Sequence, residues 1–279
     1  MSSSQPTNQN KDVLDSSQDN EEILDLDSMF EEPKEFYKQA REDYFSNYVM
    51  KTIDQQIKLR IVGDHVLWGN YLWNASIVLA EYLETHTDLV ANQTVLELGA
   101  AAGLPSMVCA ALGAKQVIVT DYPDNDLVDN LKINSKTNFS NLVEEGRLVA
   151  TGFVWGKDPS LLTKYLLEGQ KCFDMLILSD LVFNHSEHRN LLTTCKQLIR
   201  KPSIGKDGEV EKASGNILVF FSHHRPWLAD KDVDFFNKAK DEFGFKVEKI
   251  LEKYTGPMFE NDPGDEKVRG TVHGYLMTC

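Results

Sequence analysis

Val95-Leu96-Glu97-Leu98-Gly99-Ala100-Ala101-Ala102-Gly103-Leu104-Pro105 is an apolar run that closes on an acid, enters a glycine-bounded turn and continues into a proline-led helix. Glycine at 99 and 103 lets the backbone turn tightly and approach a ligand. Pro105 suits a first helical turn because it lacks a donor that would be unpaired there anyway. In an open α/β sheet the ligand lies outside the carboxyl ends of the strands, where the strand order reverses. The turn is therefore a candidate cofactor cradle, and its spacing separates two cofactors. A dinucleotide needs G-x-G-x-x-G, whose middle glycine admits the pyrophosphate to the helix N-terminus. Here that position is Ala101. S-adenosylmethionine has no phosphate, so the requirement lapses, and Glu97 is placed to serve its positively charged methionine end directly or through water. Alone, such a turn is equally the mark of a plain strand-to-helix connection.

Two further strands add to it. Val117-Ile118-Val119-Thr120-Asp121 ends in an acid about 20 residues after the turn, where a carboxylate accepts both ribose hydroxyls. The plainer reading of Asp121 is a cap on the next helix. Met175-Leu176-Ile177-Leu178-Ser179-Asp180 is an apolar strand that brings Ser179 and Asp180 to the same rim of the sheet.

Outward from this centre, strand-like and helix-like segments alternate, the pattern of a parallel sheet built from βα units. Helices are expected over Pro33–Tyr48, Trp73–His86, Pro105–Leu112, Asp124–Thr137, Ser160–Leu167, Glu187–Arg200 and Lys231–Phe243. Strands are expected over Gln56–Val62, Thr94–Leu98, Gln116–Thr120, Arg147–Gly152, Phe173–Leu178, Asn216–Phe221, Phe245–Leu251 and Thr271–Thr278. Lys201–Gly215 reads as a polar loop. The last two strands pair antiparallel, because Gly256–Arg269 between them is rich in Gly, Pro and charge and offers no crossover helix. The expected fold is α/β: a doubly wound, Rossmann-like, seven-stranded and mostly parallel sheet with a C-terminal antiparallel hairpin, the class I S-adenosylmethionine-dependent methyltransferase arrangement.

Residues 1–30 are Ser, Gln, Asn and acid with almost no aromatic, too little apolar surface to offset the entropy of ordering, so they are expected to form a disordered acidic tail ahead of a domain over 31–279. Ten acids against two lysines between Met1 and Glu35 place more than half of the formal charge of −14 there. The tail is either an electrostatic lure for a basic partner or a solvated segment without a role. A net acidic chain argues against direct nucleic-acid binding, which needs clustered Lys and Arg. Cys109, Cys172, Cys195 and Cys279 show no C-x-x-C spacing, and no apolar run nears the roughly 20 residues that cross a bilayer. A cytoplasmic protein with no membrane partner is expected, a monomer being the favoured state.

Trp68-Gly69, Leu72-Trp73-Asn74-Ala75-Ser76, Glu97 to Gly103, Asp121, Trp155-Gly156 and Ser179-Asp180-Leu181-Val182-Phe183-Asn184-His185 occur in the order of a known group. The chain resembles the protein methyltransferases of the seven-β-strand family sixteen group, over roughly Glu31 to Cys279. Within the group, Ser179 to Ser186 and Phe221-Ser222-His223-His224-Arg225-Pro226 are similar to fungal enzymes that methylate the N-terminus and an adjacent lysine of translation elongation factor 1-alpha. The resemblance implies cofactor contacts at Trp68, Gly99, Ala100, Ala101, Asp121, Trp155 and Ser179, with Gly103 completing the turn. Trp155 would pack on the adenine and Trp68 would close over the methionine end; without the resemblance, both read as packing aromatics. The group's usual acid-x-x-Tyr is Asp180-Leu181-Val182-Phe183 here, which removes a phenol but leaves an aromatic face for a cationic substrate.

Methyl transfer from a sulfonium to an amine is an in-line displacement, so alignment and water exclusion carry most of the work. The amine must first lose a proton. Asp180, Phe183, Asn184 and His185 form the candidate catalytic set: Phe183 offers its ring face to the ammonium, while Asp180, Asn184 and His185 orient the nitrogen or accept its proton, and only His185 titrates near neutrality unperturbed. His223 and His224 lie on the same rim with a structural or substrate-positioning role. A small-molecule N-methyltransferase acting on nicotinamide and a non-catalytic scaffold remain the alternatives, the intact Glu97, Gly99, Gly103 and Asp121 set weighing against the scaffold.

Overall fold

The computed structural model describes residues 41–204 and 210–279. β1 (Tyr44–Val49) pairs antiparallel with β2 (Gln56–Ile61), whose Ile57, Leu59 and Ile61 are fully buried. This overturns the helix expected up to Tyr48: the aromatic and β-branched residues of Tyr44–Val49 favour a pleated surface, and β2 supplies the partner. Residues 33–40 of that helix, the acidic tail over 1–30 and the domain start at 31 lie outside the described residues.

The chain then runs α1 (Asn74–Thr85), β3 (Thr94–Leu98), α2 (Leu104–Ala111), β4 (Gln116–Asp121), α3 (Asn125–Glu144), β5 (Leu148–Gly152), α4 (Ser160–Thr163), β6 (Met175–Ser179) and α5 (His188–Leu198). It continues through β7 (Ser203–Ile204), β8 (Val210–Lys212), β9 (Asn216–Ser222), α6 (Ala229–Asp241), β10 (Lys246–Tyr254), α7 (Glu266–Arg269) and β11 (Thr271–Thr278). Seven strands form one sheet in the order β10-β11-β9-β6-β3-β4-β5, with β11 antiparallel to both of its neighbours and the other pairings parallel. The chain leaves β3 toward β4 and β5, then returns to the opposite side of β3 as β6. That reversal puts the topological switch point at the carboxyl ends of β3 and β6.

Successive residues of the central strands feed opposite faces, as a two-residue period dictates. Val95, Met175 and Ile177 join the core under α1 and α2; Leu96, Leu98, Leu176 and Leu178 join the one under α5 and α6. Both faces are covered, which is why these strands read as continuous apolar runs.

Several boundaries differ from expectation. Lys201–Gly215 is not all loop but contains the small β7–β8 hairpin. The helix at Ser160 lasts a single turn, α3 continues to Glu144 past non-helical torsions at Phe139, and the 256–269 connector contains the one-turn α7. There Asp265 caps by accepting from the Val268 N–H at 3.0 Å.

The outer edge of β2 is closed by side chains. Asn134 accepts from the Arg60 N–H at 2.7 Å and donates to the Arg60 carbonyl at 2.9 Å; one helical turn later Asn138 does the same for Lys58 at 2.9 and 2.8 Å. Among the described residues no helix is long and apolar enough to cross a membrane.

Candidate active site

The turn after β3 is held by backbone geometry. Gly99, Ala101 and Gly103 all have positive φ, at 61°, 50° and 77°. Ala101 is the non-glycine among them, and its N–H donates to Asp121 Oδ2 at 2.7 Å while the Tyr122 N–H donates to Oδ1 at 2.7 Å. Asp121 therefore anchors the turn from the end of β4. Burial lifts its carboxyl above the ordinary value, against the pull of those two N–H groups. A Cβ at Gly99 would lie 2.6 Å from Leu181 Cδ2 and 3.2 Å from Trp155 Cζ2, so only glycine lets those side chains close on the turn.

Above this turn lies a chamber of about 500 Å³. Its walls include Trp68, Gly99, Ala101, Asp121, Trp155, Ser179, Asp180, Phe183 and Asn184, so the three strand ends and both tryptophans singled out in the sequence converge. Ala100 and Gly103 line a small cleft under the same turn. Glu97 does not reach either space. It is fully buried, accepts from the Ser106 N–H at 2.9 Å and from the Ser106 hydroxyl, and so caps α2 from within. Burial pushes its carboxyl up to about 8, and Oε1 has no partner. Glu97 is expected to serve the methionine end directly or through water; the structure places it beneath the turn, which it supports from below.

A second chamber of about 440 Å³ adjoins the first. Trp68, Tyr71, Trp73, Phe183 and Phe259 supply aromatic walls, and Asp180, Asp262, His224 and Arg225 supply charge. Trp68, Trp73, Asp180 and Phe183 belong to both chambers. The aromatic rings brace one another: Tyr71 and Phe259 meet edge to face at 5.0 Å, Tyr71 and Trp73 at 5.5 Å. Trp73 Nε1–H donates to the Trp68 carbonyl at 3.1 Å, which fixes Trp68 in the left-handed region with φ 62°.

His185 does not join them. It pairs with Asp232 at 2.6 Å, Asp232 also takes His223 at 2.8 Å, and neither histidine lines either chamber. The proton-accepting role expected of His185 is corrected on that geometry, since the one-turn helix that follows Asn184 carries it toward α6. The histidine on the wall is His224. The sequence alone marks no role for Tyr71, Trp73, Phe259, Arg225 or Asp262. Trp73 stood inside a quoted motif, but Phe259 and Asp262 sit in a connector whose Gly, Pro and charge signal only a loop.

The donor set suits S-adenosylmethionine. Asp121 offers a carboxylate for the ribose, Trp155 a ring beside the turn, and the buried Ser179 Oγ and Asp180 Oδ2 have no partner within the protein. A volume near 500 Å³ is in the usual range of small-molecule pockets. A turn of this form at the switch point of this sheet order defines the class of S-adenosylmethionine-dependent methyltransferases. Two solved structures share the fold at a TM-score of 0.51: a putative S-adenosylmethionine-dependent methyltransferase from Streptococcus mutans (12% identity, 87% of this chain, 57% of that one) and the putative methyltransferase SMU.776 complexed with SAH (13%, 88% and 58%). The chain belongs to the lysine methyltransferase family, which matches residues 53–241. Relatives in that family include the protein N-terminal and lysine N-methyltransferase efm7 of Schizosaccharomyces pombe, 44% identical over 90% of this chain and 94% of the relative. The protein of the same name from Cryptococcus neoformans is 43% identical over 93% and 90%.

Proposed function

We propose that this methyltransferase modifies a protein, transferring methyl groups to an N-terminal α-amine and an adjacent lysine of translation elongation factor 1-alpha in the cytosol. The observation that carries the reading is the wall shared by the two chambers. Asp180 and Phe183 stand where a nitrogen from the aromatic chamber meets a methyl donor in the other, and Asp180 Oδ2 is a buried acceptor without a partner. S-adenosylmethionine, bound over Asp121 and the Gly99–Ala101 turn, supplies the methyl group and a positive sulfur that is neutralised on transfer.

The protein's own residues then have separable tasks. The aromatic chamber attracts an ammonium through ring faces, each contributing about 0.5–2 kcal/mol, and removes it from water, which lowers its pKa. Asp180 Oδ2 accepts the nitrogen's proton in a hydrogen bond and aims its lone pair; Asn184, on the wall of the cofactor chamber, orients the donor side. Trp68, a little over half exposed, covers the junction and limits water. The names of the relatives and the acidic balance of the chain support a basic protein partner, whose encounter such charge accelerates.

The test is incubation of the recombinant chain and labelled cofactor with purified, unmethylated elongation factor 1-alpha, read by intact mass and peptide fragmentation. Methyl groups are expected on the first residues, and acetylating the α-amine should remove the terminal modification. Efficient turnover of nicotinamide with no mass change in the elongation factor would refute the protein-substrate reading.

A further inference from the structure

Resting on the assignment of Asp180 to the amine, we infer that His224 is a positioning residue for methyl transfer, gripping one oxygen of Asp180 so that the other is presented to the substrate nitrogen. Asp180 needs such a grip. Its φ is 59°, a region that costs a residue with a Cβ, and it is the last residue before the chain breaks from the sheet. Its N–H donates to the Phe220 carbonyl at 2.7 Å, which fixes the backbone but not the carboxylate. Two donors fix the carboxylate, both onto Oδ1: the Ser222 N–H at 3.3 Å and His224 Nε2 at 3.0 Å. The backbone donor is at the long end of hydrogen bonding, so the imidazole is the stronger hold. Oδ2 is left buried and without a partner on the wall of both chambers.

His224 is itself well anchored. Its N–H donates to the Ser222 carbonyl at 3.0 Å, and its ring meets Trp73 edge to face with centroids 5.0 Å apart. Burial alone would lower the imidazole's pKa, but Asp180, with smaller help from Asp232 and Asp262, raises it above the ordinary histidine value. Arg225 is the remaining charged group on that wall, and it donates to the Phe183 carbonyl at 3.2 Å rather than to Asp180. Nε2 donates to Oδ1 in the imidazolium and in one neutral tautomer, so the grip survives titration. Neither of the other nearby histidines can replace it, because His185 and His223 are both committed to Asp232.

Two variants of the full chain separate positioning from packing. His224→Phe keeps a ring against Trp73 and removes the donor; His224→Gln keeps an N–H donor and removes the ring. With labelled cofactor and unmethylated elongation factor 1-alpha, His224→Phe should lose about tenfold to a hundredfold in kcat, the scale of a lost hydrogen bond to a charged group, with cofactor Kd within about twofold. His224→Gln should recover to within about threefold of the parent. A kcat for His224→Phe equal to the parent's, or a His224→Gln no better than His224→Phe, would overturn the inference. A second readout needs no turnover. The side-chain resonance lost in His224→Phe should titrate above the ordinary histidine value in the parent and fall back toward it in Asp180→Asn. A midpoint unmoved by Asp180→Asn defeats the coupling even if the elongation factor is the wrong substrate, whereas a parent chain that leaves that protein unmodified defeats only the substrate reading.

Discussion

The two chambers share a wall but are built in different ways. The floor of the cofactor side is one continuous stretch, the turn that follows β3, tied to the residue that ends the next strand, and its shape is held by backbone N–H groups on Asp121. The amine side is gathered from the loop before α1, the end of β6, the segment after β9 and the connector before α7, and it is held by ring-on-ring contacts. A backbone-held site has few ways to relax after a substitution, while a site of packed rings can lose one wall and keep the rest. Damage on the first side should therefore be severe and confined to cofactor binding. Damage on the second should be graded and confined to the amine.

Asp121→Ala carries the largest expected effect. It removes the carboxylate proposed for the ribose and unties Ala101 and Tyr122 together, so cofactor affinity should fall by about 2–4 kcal/mol, measured by calorimetry. Unchanged affinity would end the contrast, because the turn would then be holding itself. Asp180→Asn tests the shared wall: kcat should drop about a hundredfold, near 2.7 kcal/mol, with cofactor Kd within about threefold. A comparable loss of cofactor binding would show that the two sides are not separable. Phe259→Ala lies on the amine side alone, and KM for the protein substrate should rise about threefold to tenfold with no change in cofactor binding, the scale of one cation–π face.

The smallest effect is on stability. Glu97 is neutral in the folded chain up to about pH 8, whereas an unfolded glutamate ionises near 4.5. Between those values the folded state holds the extra proton, so stability falls as pH rises. His224 contributes in the same direction, since a folded pKa above the unfolded one gives stability that is lost as pH climbs through it. In Glu97→Gln only the glutamate's share disappears, and the melting temperature should fall roughly a few degrees less between pH 6 and 8 than in the parent. Equal slopes would mean that Glu97 is ionised under the turn.

The same division explains what was readable in advance. A strand with both faces buried announces itself as an apolar run, and the order of β3, β4 and β6, with their terminal Asp121, Ser179 and Asp180, follows from local pattern. Tyr44–Tyr48 reads as helix in the sequence because its partner strand is needed to tell a pleated surface from a helical one. His185 looked apt because it is near neutrality and near Asp180 in sequence, yet a short helical turn carries it to Asp232. His224 lies 44 positions from Asp180 and reaches it only because β9 runs beside β6. Phe259 and Asp262 left no periodic signal, since loop residues are chosen by what they face rather than by a repeat.

The asparagine pair on α3 has a consequence for how the amine side keeps its alignment. Four residues of helix advance about 6.0 Å and two residues of strand about 6.6 Å, so a helix can impersonate a neighbouring strand for two rungs before the mismatch builds. Asn134 and Asn138 use those two rungs, and Asn130, one turn earlier, bonds the Arg60 guanidinium at 3.1 Å instead of the backbone. Such a ladder works as a vernier. Both asparagines hold main-chain groups of alternate residues, so a slip of β2 by one residue would turn Leu59 outward and unseat both rungs. The loop bearing Trp68 leaves β2 within a few residues, and α3 starts directly behind Asp121, so the setting indexes the cover of the junction to the floor beneath the cofactor.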